Sequence, residues 1–323
     1  MIDKIKAYLA ENWSDFQAVI ASSLSSDIEL LNKLNQSMLA NSGKQLRPLM
    51  SILMARAISG KSNADTLKYA AAAELLHNAT LFHDDVADQS DTRRGKPTLR
   101  ALMGPQVSVL VGDFWLVKAV SLIMSAELGW ERAVRLFADT LSDLVEGEML
   151  QLQKTFKCDT SQDDYLRIIY GKTASLFVVS SKIAAISVAA APEMEQAAVD
   201  YARNVGYAFQ IKDDILDYSG DSQVGKALGV DILESKITLP LLGAFAHMEP
   251  DKEAKLREAI SRDPAGASSQ AHEAVRALGG IEYAYDMLKD YVNKAISALN
   301  VLPDSHDKEY LINLAEYIAV RKK

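Results

Sequence analysis

Asp84-Asp85-Val86-Ala87-Asp88 and Asp213-Asp214-Ile215-Leu216-Asp217 share one DDxxD spacing, 129 positions apart. On a helix, residues i and i+4 share a face, so Asp84 lies beside Asp88 and Asp213 beside Asp217. Two such charges roughly 5–6 Å apart repel by about 1 kcal/mol in water and several-fold more against low-dielectric walls. Leu81, Phe82 and Val86 interleave the first motif, so at least one face of its helix is buried. A single copy would read equally well as a solvated acidic helix end. Two copies with the same apolar interleaving point to facing carboxylate clamps for a hard divalent cation. Magnesium suits a site where one or two carboxylates and a substrate phosphate share the ion. Asp85 and Asp214 point roughly 100° away from their neighbours and rank below them as direct ligands.

Cations fall where a metal–phosphate site needs them. Gly43-Lys44-Gln45-Leu46-Arg47-Pro48 puts Lys44 and Arg47 near a helix start, and Arg93-Arg94-Gly95-Lys96 follows the first acidic motif. Lys172-Thr173 follows Gly171, and Lys226 and Lys236 lie beyond the second motif. Any one could be a solvated surface charge. As a set, bidentate arginines and mobile lysines suit diphosphates gripped from several directions. Gly171-Lys172-Thr173 resembles the tail of a P-loop, but the glycine lead and the preceding strand are missing. His77, seven residues before Asp84 on the same face, is either a hydrogen-bonded core histidine or a substrate contact. His83 stays unassigned, and His247, His272 and His306 have no sequence partners and are expected at the surface.

These residues need helices to position them. No proline occurs between Pro105 and Pro192 or between Pro192 and Pro240, and no useful strand alternation appears. Apolar residues recur at three and four, as at Leu141, Leu144, Val145, Met149 and Leu152. The pattern predicts long helices over about 44–59, 64–90, 105–126, 130–154, 162–190 and 194–218. Shorter ones are expected over 237–247, 252–261, 279–299 and 305–321. Stretches apolar on every face, such as Tyr69–Leu76, belong inside a large bundle. The expected architecture is all-α: one domain over 1–323, a single helical bundle around a central cavity.

Composition narrows the function. Hydrophobic residues make up 49% and charged residues 24% of the 323, ordinary for a globular chain with a full core. A net charge of −8 argues against nucleic-acid binding. The lone Cys158 forms no internal disulfide and fits a reducing compartment. Residues 1–20 lack a signal-peptide core, and the most apolar stretch, Ile183–Ala191, is short of the ~20 residues of a membrane span. A cytoplasmic protein is the expectation.

The ordered set Gly43-Lys44-x-x-Arg47-Pro48, Leu76-His77 through Asp88, Arg93-Arg94-Gly95, Gly112-Asp113, Gly147-Glu148, Lys172-Thr173 and Phe209-Gln210-x-x-Asp213-Asp214-x-x-Asp217 resembles the trans-polyprenyl diphosphate synthases. The likeness runs from about residue 40 to the C-terminus, through Thr238-Leu239-Pro240 and Leu302-Pro303. Ser42 stands for the first of the family's usual two glycines, and Glu234-Ser235 precedes Lys236; neither removes a ligand. The resemblance implies the isoprenoid synthase fold, a homodimer, and condensation of isopentenyl diphosphate with an allylic diphosphate such as farnesyl or geranylgeranyl. It implies magnesium on Asp84, Asp88 and Asp213, with Asp85, Asp214 and Asp217 adding ligands or holding waters. Arg93, Lys172, Lys226 and Lys236 would hold the allylic diphosphate. Lys44, Arg47, His77 and Arg94 would hold isopentenyl diphosphate, and Thr173 and Gln210 would face the reacting carbons.

The chemistry is then ionisation, condensation and proton loss in a dry pocket, accomplished by positioning and electrostatics. Product length is expected to depend on Ala79, five residues before Asp84 and roughly 7.5 Å along the helix. With Ala70-Ala71-Ala72-Ala73 also small, the expected product lies in the hexaprenyl to decaprenyl range. Trp115, Val117 and Met124 are candidates for the pocket floor. A short-chain synthase, a class I terpene cyclase and a non-catalytic partner subunit are the alternatives. The intact second DDxxD and the Lys44/Arg47 pair disfavour the last two.

Overall fold

The computed structural model describes residues 1–219 and 229–321. They are almost entirely helical. The helices are α1 (Ile2–Ser23), α2 (Glu29–Ala40), α3 (Leu46–Ser59), α4 (Ala64–Ala87), α5 (Leu99–Met103), α6 (Pro105–Met124) and α7 (Trp130–Lys157). Next come α8 (Gln162–Ile169), a π-helical turn (Tyr170–Ala174), α9 (Ser175–Ser187) and α10 (Pro192–Ser219). The chain finishes with α11 (Val230–Leu233), α12 (Leu239–Phe245), α13 (Pro250–Arg262), α14 (Pro264–Ala277), α15 (Gly280–Ala298) and α16 (His306–Val320). The only strands among the described residues are β1 (Thr92–Arg93) and β2 (Lys96–Pro97), a two-rung antiparallel hairpin in the Arg-Arg-Gly-Lys break.

Helices lie over all the predicted ranges, and α1, α2, α5, α11 and α14 add to them. The Asp263-Pro264-Ala-Gly266 start of α14 imitates a turn. Pro264 in fact occupies the first helical turn, where its missing N–H costs nothing, and the Asp263 carboxylate accepts from Gly266 N at 3.0 Å.

The described residues form two compact units. The first comprises Met1–Ala138, Val179–Ala198 and Val301–Leu311. Its spine is α4. Asn63 caps α4 in a reciprocal box with Thr66, and its side-chain amide also donates to Ser187 O at 2.7 Å. Ala70 to Ala73 are fully buried, and their small side chains let α6, α3 and α1 pack close to α4. Ser108 on α6 donates to Phe82 O at 2.9 Å. Trp115 meets Phe82 edge-on at 5.1 Å and donates to Asn35 on α2 at 2.8 Å. Of the three candidate floor residues only Trp115 is interior; Val117 and Met124 are 61% and 57% exposed, on the outer side of α6.

Helix α6 also corrects the hydropathy reading. It runs 20 residues at mean hydropathy 1.8 and is long and apolar enough to cross a membrane, unlike the shorter Ile183–Ala191. Its outward face is apolar too: Leu110, Val117 and Met124 recur at intervals of seven and are all exposed.

The second unit comprises Asp139–Val178, Val199–Asn300 and Ile312–Lys323. A buried α12 packs on α14 and α15. Helix α8 starts from a Ser161–Asp164 capping box and runs directly into the π turn. That wider turn passes α7 at a pair of glycines. A Cβ on Gly171 would lie 2.5 Å from Asp143 O and 2.9 Å from Gly147 Cα. Neither contact can yield without moving backbone. Gly171→Ala is therefore expected to cost about 1–3 kcal/mol by overpacking, read by chemical denaturation; unchanged stability would refute the tight contact.

Candidate active site

Both acidic motifs end helices. Asp84 and Asp85 lie in the last turn of α4 with Asp88 as its C-terminal cap, and Asp213, Asp214 and Asp217 lie in the last two turns of α10. A helix C-terminus is the negative pole of the macrodipole, where a carboxylate is disfavoured by roughly 0.3–1 kcal/mol. Gathering three there twice is stabilised by cations.

In the first unit the second aspartate of the motif turns inward. Asp85 is 3% exposed and accepts from Arg93 Nε at 2.8 Å. Burial pushes its carboxyl up and Arg93 pulls it back. Asp84 is half-buried and Asp88 exposed, leaving the outer pair on the solvent side as the i, i+4 spacing requires.

The same unit builds a cationic cluster around the buried Arg47. The Gly43 and Arg94 segments meet face to face: a Cβ on Gly43, which has φ +76°, would lie 2.0 Å from Arg94 Nη1. Arg47 is 9% exposed in the first turn of α3, and desolvation lowers its pKa to about 10 despite Glu74. His77 is pushed well below its usual range by burial, then by Arg47, Arg94 and Arg93, so its imidazole is neutral. Lys44 is exposed beside them in sequence. Glu74, which the sequence reading passed over, is 1% exposed and hydrogen-bonded by Asn78 Nδ2 at 3.2 Å. Burial raises its pKa while Arg47 and Arg94 oppose the rise. In this arrangement the cations outnumber the single carboxylate, a charge balance that could hold an anion. His83, one residue before Asp84, stands 3.3 Å from Asp113 Oδ1.

In the second unit Asp214 is 4% exposed. It accepts from Tyr165 Oη at 2.6 Å and from Gln210 Nε2 at 2.9 Å. Burial lifts its pKa to about 7 against the pull of those two donors. Asp213 pairs with Arg321 Nη2 at 2.8 Å, and that guanidinium also stacks on Phe209. Asp217 caps α11, accepting from Val230 N and Asp231 N at 3.3 and 3.1 Å. The π turn presents Lys172, bound to Glu148 at 2.6 Å, and Thr173, whose hydroxyl donates to Gln210 Oε1 at 2.8 Å. Tyr165, Lys172, Thr173, Gln210 and Asp214 line a cavity of about 130 Å³ with Asp231 and Lys236. Lys236 pairs with Glu234.

The chain's relatives agree with this chemistry. A family model described as polyprenyl synthetase matches residues 28–278. The octaprenyl diphosphate synthase of Escherichia coli (strain K12) is 39% identical over 323 residues, 99% of each chain. The chain belongs to the polyprenyl synthetase family. The solved polyprenyl synthase from Caulobacter crescentus CB15, complexed with calcium and isoprenyl diphosphate, superposes with a TM-score of 0.90 at 36% identity, covering 100% of this chain and 98% of that one. A decaprenyl diphosphate synthase from Rhodobacter capsulatus gives 0.91 at 33% identity, with 100% of both chains covered. This polyprenyl synthetase is thus an all-α prenyltransferase with the isoprenoid synthase fold.

Among the described residues no three His, Cys, Asp or Glu side chains gather into a ready-made metal cage. The first unit brings together Arg47, His77, Arg93 and Arg94; the second brings together Lys172, Thr173, Gln210, Asp214 and Lys236. Lys226 lies outside the described residues. Tyr165, Asp231 and Arg321 are additions that no local spacing signals, whereas Glu148 belongs to the Gly147-Glu148 pair of the ordered set. His272 corrects the surface expectation: it is half-buried, its ring 5.2 Å from Tyr218 and its Nδ1 2.8 Å from Ser268 O.

Proposed function

We propose that this prenyltransferase condenses isopentenyl diphosphate with an allylic diphosphate, such as farnesyl or geranylgeranyl diphosphate, to make a long-chain all-trans polyprenyl diphosphate. The observation that carries the reading is the pair of acidic motifs at negative helix ends, each accompanied by grouped cations. Magnesium ions would be held by Asp84 and Asp88 in the first unit and by Asp213 in the second, and would supply Lewis acidity toward the departing diphosphate. Asp85 and Asp214, whose oxygens are taken by Arg93 and by Tyr165 with Gln210, orient the clamps and hold waters. Asp217 serves the clamp while fixing the entry to α11.

Arg93, Lys172, Lys226 and Lys236 bind the allylic diphosphate, and Lys44, Arg47, His77 and Arg94 bind isopentenyl diphosphate. A neutral His77 adds a hydrogen-bond partner without further charge. Thr173 and Gln210 set oxygen dipoles beside the positive carbon, and the released diphosphate takes the proton. Residues 1–323 act as one catalytic domain in the cytoplasm.

The test is product analysis of this chain alone with magnesium, farnesyl diphosphate and excess isopentenyl diphosphate. Hexaprenyl to decaprenyl products are expected. Geranylgeranyl product alone would favour the short-chain alternative, a cyclic hydrocarbon would identify a cyclase, and inactivity would identify a partner subunit.

The enzyme is a homodimer in this reading, with the exposed Leu110, Val117 and Met124 stripe of α6 as the contact. Val117→Glu is expected to halve the mass seen by sedimentation. A dimer unchanged by that substitution would place the contact elsewhere.

A further inference from the structure

We infer that Tyr165 is a positioning residue for the prenyl-transfer step, acting through Asp214 and Gln210 to fix the hydroxyl of Thr173. The inference rests on the condensation proposed above.

Four side chains form a hydrogen-bond chain whose donors converge on the Asp214 carboxylate from both sides. Tyr165 Oη donates to Asp214 Oδ2 at 2.6 Å. The other carboxylate oxygen, Oδ1, accepts from Gln210 Nε2 at 2.9 Å. With its amide nitrogen committed to the carboxylate, Gln210 must present Oε1 in the opposite direction. That oxygen accepts from Thr173 Oγ1 at 2.8 Å. The Thr173 hydroxyl proton is thereby occupied, and its lone pairs are left free to face the cavity that all four residues line. An amide flip of Gln210 would set its N–H against the hydroxyl and reverse that dipole.

Three features make the chain rigid. Tyr165 and Asp214 are 3% and 4% exposed, so water does not compete for the bond that starts it. Tyr165 lies on α8, five residues before the π turn that carries Thr173, so both ends belong to one continuous helical segment. Asp214 and Gln210 stand one turn apart on α10. A lone-pair dipole aimed at a developing cation is useful only if it is fixed before the charge appears. The Asp214 carboxylate sets the order of the chain, and Tyr165 holds that carboxylate in place.

The test is a double-mutant cycle between Tyr165→Phe and Thr173→Val, with Thr173→Ser as the hydroxyl-retaining control. Each variant is assayed for turnover and for KM of both diphosphates, and its melting temperature is recorded. Tyr165→Phe is expected to lower kcat about tenfold with both KM values within about twofold. In the Thr173→Val background the same substitution has no further effect, because the group it positions is gone. In the Thr173→Ser background the tenfold loss returns. If Tyr165→Phe does not fold, 4-fluorophenylalanine at position 165 fills the same volume without a donor proton and enters the same cycle. Independent, multiplying losses would overturn the inference, as would a Tyr165→Phe enzyme with unchanged kcat. Polyprenyl product from the wild type in the same assays leaves the proposed reaction standing whichever way the cycle falls.

Discussion

Asp84→Ala and Asp213→Ala are each expected to lose on the order of 10³-fold in turnover while remaining folded, an effect comparable to deleting a main electrostatic stabiliser of a transition state. The two losses match because each residue opens its acidic motif and each is a proposed direct ligand. Their stability effects diverge. Asp84 sits at the negative end of α4, so removing its charge relieves helix-dipole repulsion, and the melting temperature is expected to stay within about 4 °C of the wild type. Asp213 is an ion-pair partner of Arg321, whose side chain is 5% exposed. Asp213→Ala leaves that guanidinium with Phe209 O and the Phe209 ring, and is expected to be the less stable of the two. Turnover near the wild-type rate in either variant refutes the metal clamp. Equal stability in both would instead show that the Arg321 pair contributes nothing.

Ala79→Tyr is expected to shorten the product from the hexaprenyl–decaprenyl range toward geranylgeranyl or farnesyl length. Ala79 is 1% exposed on α4, roughly 7.5 Å along the axis from Asp84 and on the N-terminal side, where the growing tail must run if its diphosphate stays at the acidic motif. A phenol there occupies the space of the first added units. The alternative is that Ala79 merely packs against a neighbouring helix. The tyrosine would then act as an overpacking substitution, costing about 1–3 kcal/mol with product length unchanged. Chromatography of the reaction products beside a denaturation curve separates the two, since only a tunnel residue alters the product without a matching stability loss.

Much of this could be read from spacing. The spacing turns Asp85 and Asp214 roughly 100° from their neighbours, and these two are the buried members of the motifs, each held by another side chain. The helix break at Arg93–Pro97 is legible from Gly95 and Pro97, though not that it closes as a hairpin. What escaped has no local period. Tyr165 and Asp214 are 49 positions apart, and Arg321 and Asp213 are farther still, so only the folded chain makes them partners. Glu74 reads as one more residue on an apolar helix until its burial between arginines is seen. The π turn was hidden for a different reason. Tyr-Gly-Lys-Thr-Ala has no composition that distinguishes five residues per loop from four, and the turn is betrayed only by its tight passage beside Gly147.

That wide turn amounts to one surplus amino acid spliced into an otherwise regular coil between Gln162 and Ser187. Everything beyond it is rotated by about 100° from the phase that α8 began. Deleting a single codon within Tyr170–Ala174 would restore an uninterrupted spiral and swing either the lysine–threonine pair or the whole of α9 to a different azimuth. A one-residue gap at this point in an aligned sequence would therefore mark a protein that keeps the scaffold and abandons the reaction.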